Sequence, residues 1–250
     1  MDETNGLLSR NVVIMNFSGV YDMEGLPHNS RYKWLDCRHL SGTDCYCDEE
    51  NALVKLIGEC PAGGVHFIDS GNYHYLTKFW TDRITRPFSL VVFDHHPDMQ
   101  PSLFDHILSC GSWVKDVLDS NTNCRNVVIV GASDELIRAV PHGYEEKVHF
   151  YSDNDLNKEE SWRKFSREFV ADPVYISIDK DVLSPEYAVT NWDQGTMDLK
   201  ELEKLLYIIL RNHPVLGIDV CGEFLPDSDL TENLKDATVD GRINKALLRL

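Results

Sequence analysis

The sequence is short of basic residues and has no long apolar run. Its 250 residues carry 24 Lys and Arg against 41 Asp and Glu, which gives a net charge of −17. This balance argues against nucleic acid and anionic membrane surfaces as partners, because both repel an acidic protein. No apolar stretch is long enough to span a membrane, and the first residues lack the basic and apolar segments of a signal peptide. We therefore expect a cytoplasmic protein, and its acidic balance is compatible with a cationic substrate.

The seven cysteines lack the paired spacing of a structural zinc site. Because the chain shows no export signal, reduced thiols are the default state. Cys37, Cys45 and Cys47 contain one C-x-C with no second paired motif, which matches known zinc spacings poorly. A zinc site at this group is therefore the less favoured interpretation.

Internal repeats, low-complexity runs and linkers are also absent, so the length favours one α/β domain that spans residues 1–250. Apolar strands alternate with segments of helical period, which predicts βαβ units and a parallel sheet covered on both faces. The predicted strands are 12–17, 65–68, 88–93, 126–130, 147–151, 174–178 and 215–220. The predicted helices are 48–60, 73–84, 112–119, 133–140, 158–170, 199–211 and 230–249. Their predicted N-caps include Asp48, Ser133 and Asp198. Residues 1–10 are expected to be loose, and 18–47 to form a long loop with short pieces of structure.

Three potential metal ligands follow one predicted strand at alternate positions. The run Val-Val-Phe leads into Asp94, and His96 and Asp98 come next. Alternate side chains of an extended strand end point to one side, so these three can converge on one small volume. Carboxylate and imidazole ligands without thiolate suit Mn(II), Fe(II), Co(II) or Zn(II) rather than a structural zinc site. The alternative interpretation is a polar strand-end loop with solvated side chains.

Alternating carboxylates also end a second apolar strand, where residues 174–178 run into Asp179 and Asp181. Buried carboxylates are costly unless they are paired or bind metal. Two strands that both end in this way do not follow from the needs of a core. Five candidate ligands at two strand ends suit two metal ions.

A sixth candidate ligand, His74, follows the predicted strand 65–68. Gly71 permits a tight turn between the two. A lone His at such a place is more often structural, but beside the other two motifs the ligand interpretation is favoured.

The three motifs together resemble the ureohydrolase family, which includes arginase, agmatinase, guanidinobutyrase and formimidoylglutamase. The family has a G-G-D-H-like turn, a D-A-H-x-D strand end and an S-x-D-x-D strand end. Here they stand in the same order as Gly71-Asn-Tyr-His74, Asp94-His-His96-Pro-Asp98 and Ser177-Ile-Asp179-Lys-Asp181. The resemblance implies an arginase-like fold, a mostly parallel eight-stranded sheet between helical layers, and two Mn(II) ions per chain. One ion would bind His74, Asp94, Asp98 and Asp179, and the other Asp94, His96, Asp179 and Asp181.

The same resemblance implies hydrolysis of a linear C–N bond by water activated between the two metals. The substrate would be a small cationic guanidino or formimino compound. Asp98 would orient the water and protonate the leaving amine. Glu223 takes the place of the acid that holds the guanidinium, although Gly222 displaces it by one residue. Homo-oligomers are also what the family implies.

The chain departs from the family pattern at the proton carrier. Cys110 stands where the family has a proton-shuttling His, and His106 is the alternative carrier. Trp192 is predicted to shape the substrate pocket, with a packed loop aromatic as the alternative. These departures keep a second hypothesis open, a catalytically silent relative that retains the metals and binds a ligand or partner. A single-zinc deacetylase on the related fold fits less well, because it would not need all the ligands above.

Overall fold

An eight-stranded parallel sheet forms the centre of the molecule. The computed structural model describes residues 11–102, 107–156 and 173–249. The strands are β1 (Val12–Asn16), β2 (Tyr32–Asp36), β3 (Val65–Phe67), β4 (Phe88–Phe93), β5 (Cys124–Val130), β6 (Val148–Tyr151), β7 (Val174–Asp179) and β8 (Val215–Cys221). All neighbouring strands pair in parallel, in the order β2-β1-β3-β8-β7-β4-β5-β6.

Helices cover both faces of this sheet. They are α1 (Val20–Glu24), α2 (Glu50–Gly58), α3 (Leu76–Thr81), α4 (Trp113–Ser120), α5 (Asp134–Arg138), α6 (Asp153–Leu156), α7 (Leu199–Asn212) and α8 (Leu230–Leu247). Helices α1, α7 and α8 contribute to the core on one face, and α2, α3 and α4 to the core on the other. Within the described ranges, no helix combines the length and the apolar character needed to cross a membrane.

The central strands supply both cores because their side chains alternate between the two faces. In β4, Val91 and Phe93 belong to the first core, whereas Leu90 and Val92 belong to the second. All six residues of β4 are buried. A strand covered on both sides therefore appears in the sequence as a continuous apolar run.

The predicted α/β/α architecture is confirmed, and each of the seven predicted strands is present. Residues 18–47 form the predicted long loop with short pieces of structure, which are α1 and strand β2, five residues each. The sequence of β2, Tyr-Lys-Trp-Leu-Asp, has one buried residue in five, as suits an edge strand that pairs with β1 alone. The prediction that Asp48 caps the helix was wrong, because α2 begins at Glu50 and has no side-chain cap. Residues 1–10 and the predicted helix 158–170 lie outside the described residues.

The carboxyl ends of β4 and β7 lie side by side at one edge of the sheet. Phe93 is the partner of Ile178 in their parallel ladder, and Asp179 is the partner of Cys221 on β8. Polar residues that follow these strands therefore meet at a common place. This edge is where open α/β sheets bind ligands.

Candidate metal centre

The turn after β4 brings its three polar residues to the same side. The backbone N–H of Asp94 still donates to Val130 O at 3.0 Å, so Asp94 is held by the sheet. The N–H of His96 donates to Asp94 Oδ1 at 2.6 Å, which tightens the turn. Asp98 has a φ of 50°, a left-handed conformation that is uncommon for a residue other than glycine. Such strain concentrates at functional sites, where it aims a side chain.

A first cluster forms around His74, which is buried after the 3₁₀ turn Gly71–Tyr73. Its Nδ1 lies 3.1 Å from Asp94 Oδ2, 3.0 Å from Asp98 Oδ2 and 3.6 Å from Asp179 Oδ2. These four residues come from three different strand ends. His74, Asp94 and Asp98 offer ligand atoms close enough together for one ion, and Asp179 is near His74 in an adjoining group that also contains Cys221.

A second cluster forms around His96. Its Nδ1 lies 2.9 Å from Asp181 Oδ2 and 3.6 Å from Asp94 Oδ1. Asp94 therefore belongs to both clusters, and each of its oxygens faces one of them. Asp94, His96 and Asp181 again offer atoms close enough for one ion.

The outer nitrogen of each histidine has its own polar partner. His74 Nε2 lies 2.8 Å from Ser177 Oγ, and His96 Nε2 lies 3.1 Å from Asp193 Oδ1. A partner at Nε2 fixes the ring and leaves Nδ1 as the free lone pair. This is the arrangement expected of metal-binding imidazoles.

Burial and crowding raise the pKa values of three of the site carboxyls, those of Asp98, Asp179 and Asp181. Burial, together with Asp181 and Asp94, raises the pKa of Asp179 to about 7. Burial and Asp94 raise the pKa of Asp181 to about 6. Burial also raises the pKa of Asp98. Carboxylates gathered in a buried space are stabilised by cations, so the cluster favours divalent ions.

The two imidazoles respond to the same charges. Burial lowers the pKa of His74, but Asp94 and Asp98 more than offset it and hold the value well above the ordinary one. Asp181 and Asp94 likewise raise the pKa of His96 against its burial. In the metal-free protein, protons thus supply part of the positive charge that the carboxylates require.

Two buried atoms of the first cluster test whether the residues present fit a metal. His74 Nδ1 and Asp94 Oδ2 are inaccessible to solvent, and neither has a hydrogen-bond partner among the described residues. Buried polar atoms are normally paired, so an orphaned nitrogen and oxygen that face one another need a ligand. A divalent ion bound by nitrogen and oxygen atoms satisfies both. The donor set therefore fits the metals that the sequence suggests.

A cavity of about 140 Å³ opens onto the two clusters. Asp94, His96, Asp98, Asp179 and Asp181 line its inner end. The rest of its lining includes Met99, Gln100, Cys110, Leu136, Val140 and Trp192. The structure thus brings five of the six candidate ligands, Cys110 and Trp192 to one space, whereas His74 lies behind this lining.

Trp192 stands at the mouth of this cavity with 41% of its surface exposed. Its Nε1 donates to Asn72 Oδ1 at 2.9 Å. A β-carbon at Gly71 would lie 2.8 Å from the indole Cδ1, so only glycine leaves room for the ring there. Trp192 is therefore held in place at the mouth.

Glu223 does not line the cavity. Its carboxylate is fully buried, forms an ion pair with Lys180 and accepts a hydrogen bond from Asn244 Nδ2 at 2.8 Å. Lys180 stands between Asp179 and Asp181 in the chain, at the start of the 3₁₀ turn Lys180–Val182, and its ammonium group lies against Glu223 and Asp240. The family resemblance implies that Glu223 contacts the substrate. In this structure Glu223 instead pairs with Lys180 and does not reach the cavity. His106, the alternative proton carrier, lies outside the described residues.

Three supporting residues were not singled out by sequence reasoning. Trp113 Nε1 donates to Asp98 Oδ2 at 2.6 Å, and the Cys221 thiol donates to Asp179 Oδ2 at 3.2 Å. Lys180 is the third. It carried one signal in the sequence, because a lysine beside a buried strand end needs acidic partners.

Gly222 gives a direct test of how tightly Asp179 is held. Its φ is 84°, and a β-carbon there would overlap Asp179 Oδ1 and lie 2.6 Å from Lys180 N. Gly222→Ala should lower the free energy of unfolding by about 2–5 kcal/mol through strain and overlap. It should also weaken metal binding, because Asp179 must move. Thermal unfolding and metal titration measure the two effects.

Gly143→Ala is the matched control for this variant. Gly143 also has a positive φ, 105°, but nothing lies within 4 Å of the added β-carbon. Backbone strain alone should cost about 1–2 kcal/mol and leave metal affinity unchanged. Equal metal affinity in both variants would contradict the role assigned to Gly222.

Comparison with known proteins identifies relatives in sequence and in fold. The model of the Arginase family matches residues 56–240. An uncharacterized protein from Thermotoga maritima is 38% identical over 221 residues, which cover 87% of this chain and 81% of the relative.

Solved structures share the fold at low sequence identity. Proclavaminate amidino hydrolase from Streptomyces clavuligerus superposes with a TM-score of 0.67 at 16% identity, covering 96% of this chain and 92% of that one. Agmatine ureohydrolase of Thermoplasma volcanium superposes with a TM-score of 0.65 at 16% identity, covering 99% of this chain and 91% of that one. Formimidoylglutamase from Bacillus subtilis superposes with a TM-score of 0.63 at 13% identity, covering 95% of this chain and 87% of that one.

Proposed function

Because the chain belongs to the Arginase family, we propose that it is a cytoplasmic metal-dependent hydrolase of linear C–N bonds. Its substrate class is a small guanidino or formimino compound, and its cofactor is two Mn(II) ions per chain. The observation that carries this proposal is the pair of carboxylate–imidazole clusters that share Asp94 at the inner end of a cavity.

His74, Asp94, Asp98 and Asp179 would hold one ion, and Asp94, His96, Asp179 and Asp181 the other. When bound, the two ions would supply an activated water and offset the charge that develops on the substrate. The donor set of nitrogen and oxygen, without thiolate, supports manganese over a structural metal.

The residues of the chain contribute position and proton handling. Asp98 lines the cavity, and its Oδ2 both lies 3.0 Å from His74 Nδ1 and accepts a hydrogen bond from Trp113 Nε1 at 2.6 Å. A carboxyl whose pKa is raised by burial can carry a proton from water to a leaving amine. Trp192 and the apolar residues of the lining limit the water that reaches this end of the cavity.

Trp113→Phe tests whether the orientation of Asp98 matters for turnover. The variant removes a hydrogen bond to a carboxylate, which is worth about 1.5–3 kcal/mol. We expect kcat to fall about tenfold or more while two metal ions remain bound. Steady-state kinetics and elemental analysis on the same sample give both values.

Trp80→Phe is the matched control. Trp80 is as buried as Trp113, but its Nε1 has no hydrogen-bond partner among the described residues. The same substitution there removes no hydrogen bond, so kcat should stay near the wild-type value. An equal fall in both variants would assign the loss to packing rather than to Asp98.

Metal content together with activity tests the proposal as a whole. The protein is purified without chelator, loaded with Mn(II), and counted for metal by elemental analysis. Release of urea, ammonia and formamide is then measured over a panel of guanidino and formimino compounds. Two ions and turnover of one compound are the expected result. Less than one ion per chain after loading would overturn it.

A second function, a silent relative that keeps the metals and binds a ligand, is favoured by one observation. Glu223, which stands where the family acid would hold a guanidinium, is neutralised by Lys180 inside the protein. Two bound ions with no turnover across the panel would support this alternative over the hydrolase.

A further inference from the structure

Two of the seven cysteines differ from the rest in their exposure. Five are buried: Cys37, Cys47, Cys60, Cys124 and Cys221. Cys45 and Cys110 are partly exposed, and all seven are free thiols that lie within the described residues. The two accessible thiols are also the two that face each other.

The backbone places Cys45 and Cys110 directly opposite one another. Tyr46 and Ser109 form an antiparallel bridge. The N–H of Cys110 donates to Cys45 O at 3.0 Å on one side of this bridge. Opposed residues of an antiparallel pair have Cα atoms about 4.5–5.5 Å apart. Disulfides span Cα separations of about 4.4–6.8 Å, so this pairing suits a disulfide without a large backbone movement.

The two thiols interact through their side chains as well. A hydrogen bond from the Cys110 thiol lowers the pKa of Cys45. The same interaction, together with burial, raises the pKa of Cys110. Cys45 is therefore the better nucleophile of the two, since the thiolate is the reactive form.

The backbone at Cys45 is strained. Its φ is 60°, in the left-handed region that residues other than glycine rarely adopt. Strain of this kind costs about 1–3 kcal/mol and persists where the surroundings impose it. Here it presents the Cys45 side chain toward Cys110.

Hydrogen bonds tie the loop of Cys45 to one side of the cavity. Tyr75 Oη donates to Thr43 O at 2.7 Å, and Asn72 Nδ2 donates to Asp44 Oδ1 at 2.7 Å. Asn72 also accepts the hydrogen bond from Trp192 at the cavity mouth. The loop therefore forms part of the scaffold that holds Trp192.

The segment of Cys110 is tied to the other side. Gln100 N donates to Gly111 O at 2.9 Å, and Val114 N donates to Asp98 O at 3.1 Å. Cys110 itself lines the cavity. The cysteine pair thus joins two walls of the space in front of the metal clusters.

We propose that Cys45 and Cys110 form an oxidation site whose two thiols close to an intramolecular disulfide with a low-molecular-weight disulfide as oxidant. The Cys45 thiolate attacks one sulfur of the oxidant and releases the first thiol. The Cys110 thiolate then attacks Cys45 Sγ and releases the second. The protein loses two electrons and two protons, and the oxidant becomes two thiols. This proposal does not depend on the hydrolase activity.

The test uses the full chain loaded with Mn(II), equilibrated with defined ratios of oxidised to reduced glutathione. Free thiols are blocked with an alkylating reagent, and intact mass and peptide mapping follow. The expected result is loss of two of the seven thiols, with Cys45 and Cys110 in one linked peptide. Seven free thiols at the most oxidising ratio, or a link between another pair, would overturn the proposal.

Single variants identify the steps. Cys45→Ser and Cys110→Ser should each abolish the linked peptide. Cys110→Ser should leave Cys45 as a stable mixed disulfide with glutathione, because nothing resolves it. Cys47→Ala, on the same loop, is the matched control and should keep the link. A link that persists in Cys45→Ser would contradict the assignment.

Discussion

Asp94→Ala is expected to remove metal from both clusters and to abolish hydrolysis, a loss on the order of 10³-fold or more. Asp94 Oδ2 faces His74 at 3.1 Å, and Asp94 Oδ1 faces His96 at 3.6 Å. No other carboxylate in the described part of the chain has one oxygen in contact with each histidine. Its removal therefore weakens two sites with one substitution.

Stoichiometry distinguishes this role from that of a ligand to a single ion. Of the two cluster histidines, Asp98 contacts His74 and Asp181 contacts His96. Asp98→Ala and Asp181→Ala should therefore each retain one ion, whereas Asp94→Ala should retain fewer. Elemental analysis after desalting provides the count. Two ions bound in Asp94→Ala would exclude the proposed ligand set.

A surface carboxylate serves as the control for this series. Asp119 is about half exposed and pairs with Lys115 one helical turn away. Asp119→Asn should retain both ions, because exposed pairs contribute little and Asp119 is not in either cluster. Loss of metal in this control would point to a general defect in the preparation.

Lys180→Met is expected to lower the free energy of unfolding by about 3–5 kcal/mol. Three buried carboxyl groups, those of Glu24, Glu223 and Asp240, lie close together. Among the described residues, Lys180 is the one buried cation beside them. It pairs with Glu223 and lies 3.4 Å from Asp240 Oδ2. Removing it leaves buried acids with no positive charge, so they must either unfold the region or take up protons. Urea unfolding measures the loss.

The defect should grow as the pH rises. Burial already raises the pKa of Asp240 to about 7 and raises that of Glu223 well above its ordinary value. An acid whose folded pKa exceeds its unfolded pKa stabilises the fold at low pH, and this contribution is lost as the pH passes toward the folded value. Lys180→Met, which lacks the compensating charge, should therefore be closer to wild-type stability at pH 5 than at pH 8. The opposite trend would contradict the assigned cluster.

Two further variants sharpen this prediction. Lys115→Met removes a lysine from an exposed pair and should cost no more than about 0.5 kcal/mol. Glu223→Gln in the Lys180→Met background removes one of the uncompensated acids and should restore part of the lost stability. If the double variant is no more stable than Lys180→Met, Glu223 is not the group that Lys180 compensates.

The ligand positions were the part of the site most accessible from sequence. Asp94, His96 and Asp98 share a spacing of two, and Asp179 and Asp181 repeat it. A strand ending in such a pattern points these groups in one direction, whatever the strand order. The order of the strands brings the two patterns together, and local periodicity does not predict this order.

The pairing of Glu223 with Lys180 shows where sequence reasoning stopped. The two residues are 43 positions apart, and their contact depends on β7 and β8 being neighbours. The family position of Glu223 predicts a substrate contact, but a buried lysine directly after the adjacent strand pairs with the same carboxylate. Strand β2 was missed for a different reason, since an edge strand needs no continuous apolar run.

The facing of Cys45 and Cys110 was also beyond local reasoning. Each cysteine lies in a loop. The bridge between Tyr46 and Ser109, which places the two cysteines opposite one another, joins two irregular segments. The spacing of Cys110 from the Asp98 motif predicted that it lies near the site. Its partner Cys45 was grouped with Cys37 and Cys47 on sequence spacing, whereas the structure places Cys45 opposite Cys110.

The strand order has a consequence for how the chain is assembled. β7 and β8 are the last strands to be synthesised, yet they occupy the middle of the sheet between β3 and β4. Until they emerge from the ribosome, the two halves of the sheet have no common strand, and the inner edges of β3 and β4 stay unpaired. Such long-range pairing makes folding slow and leaves nascent chains open to aggregation. Insertion of the final strands joins the halves and completes the proposed ligand set in the same event, so we expect a truncated chain neither to finish the sheet nor to bind metal.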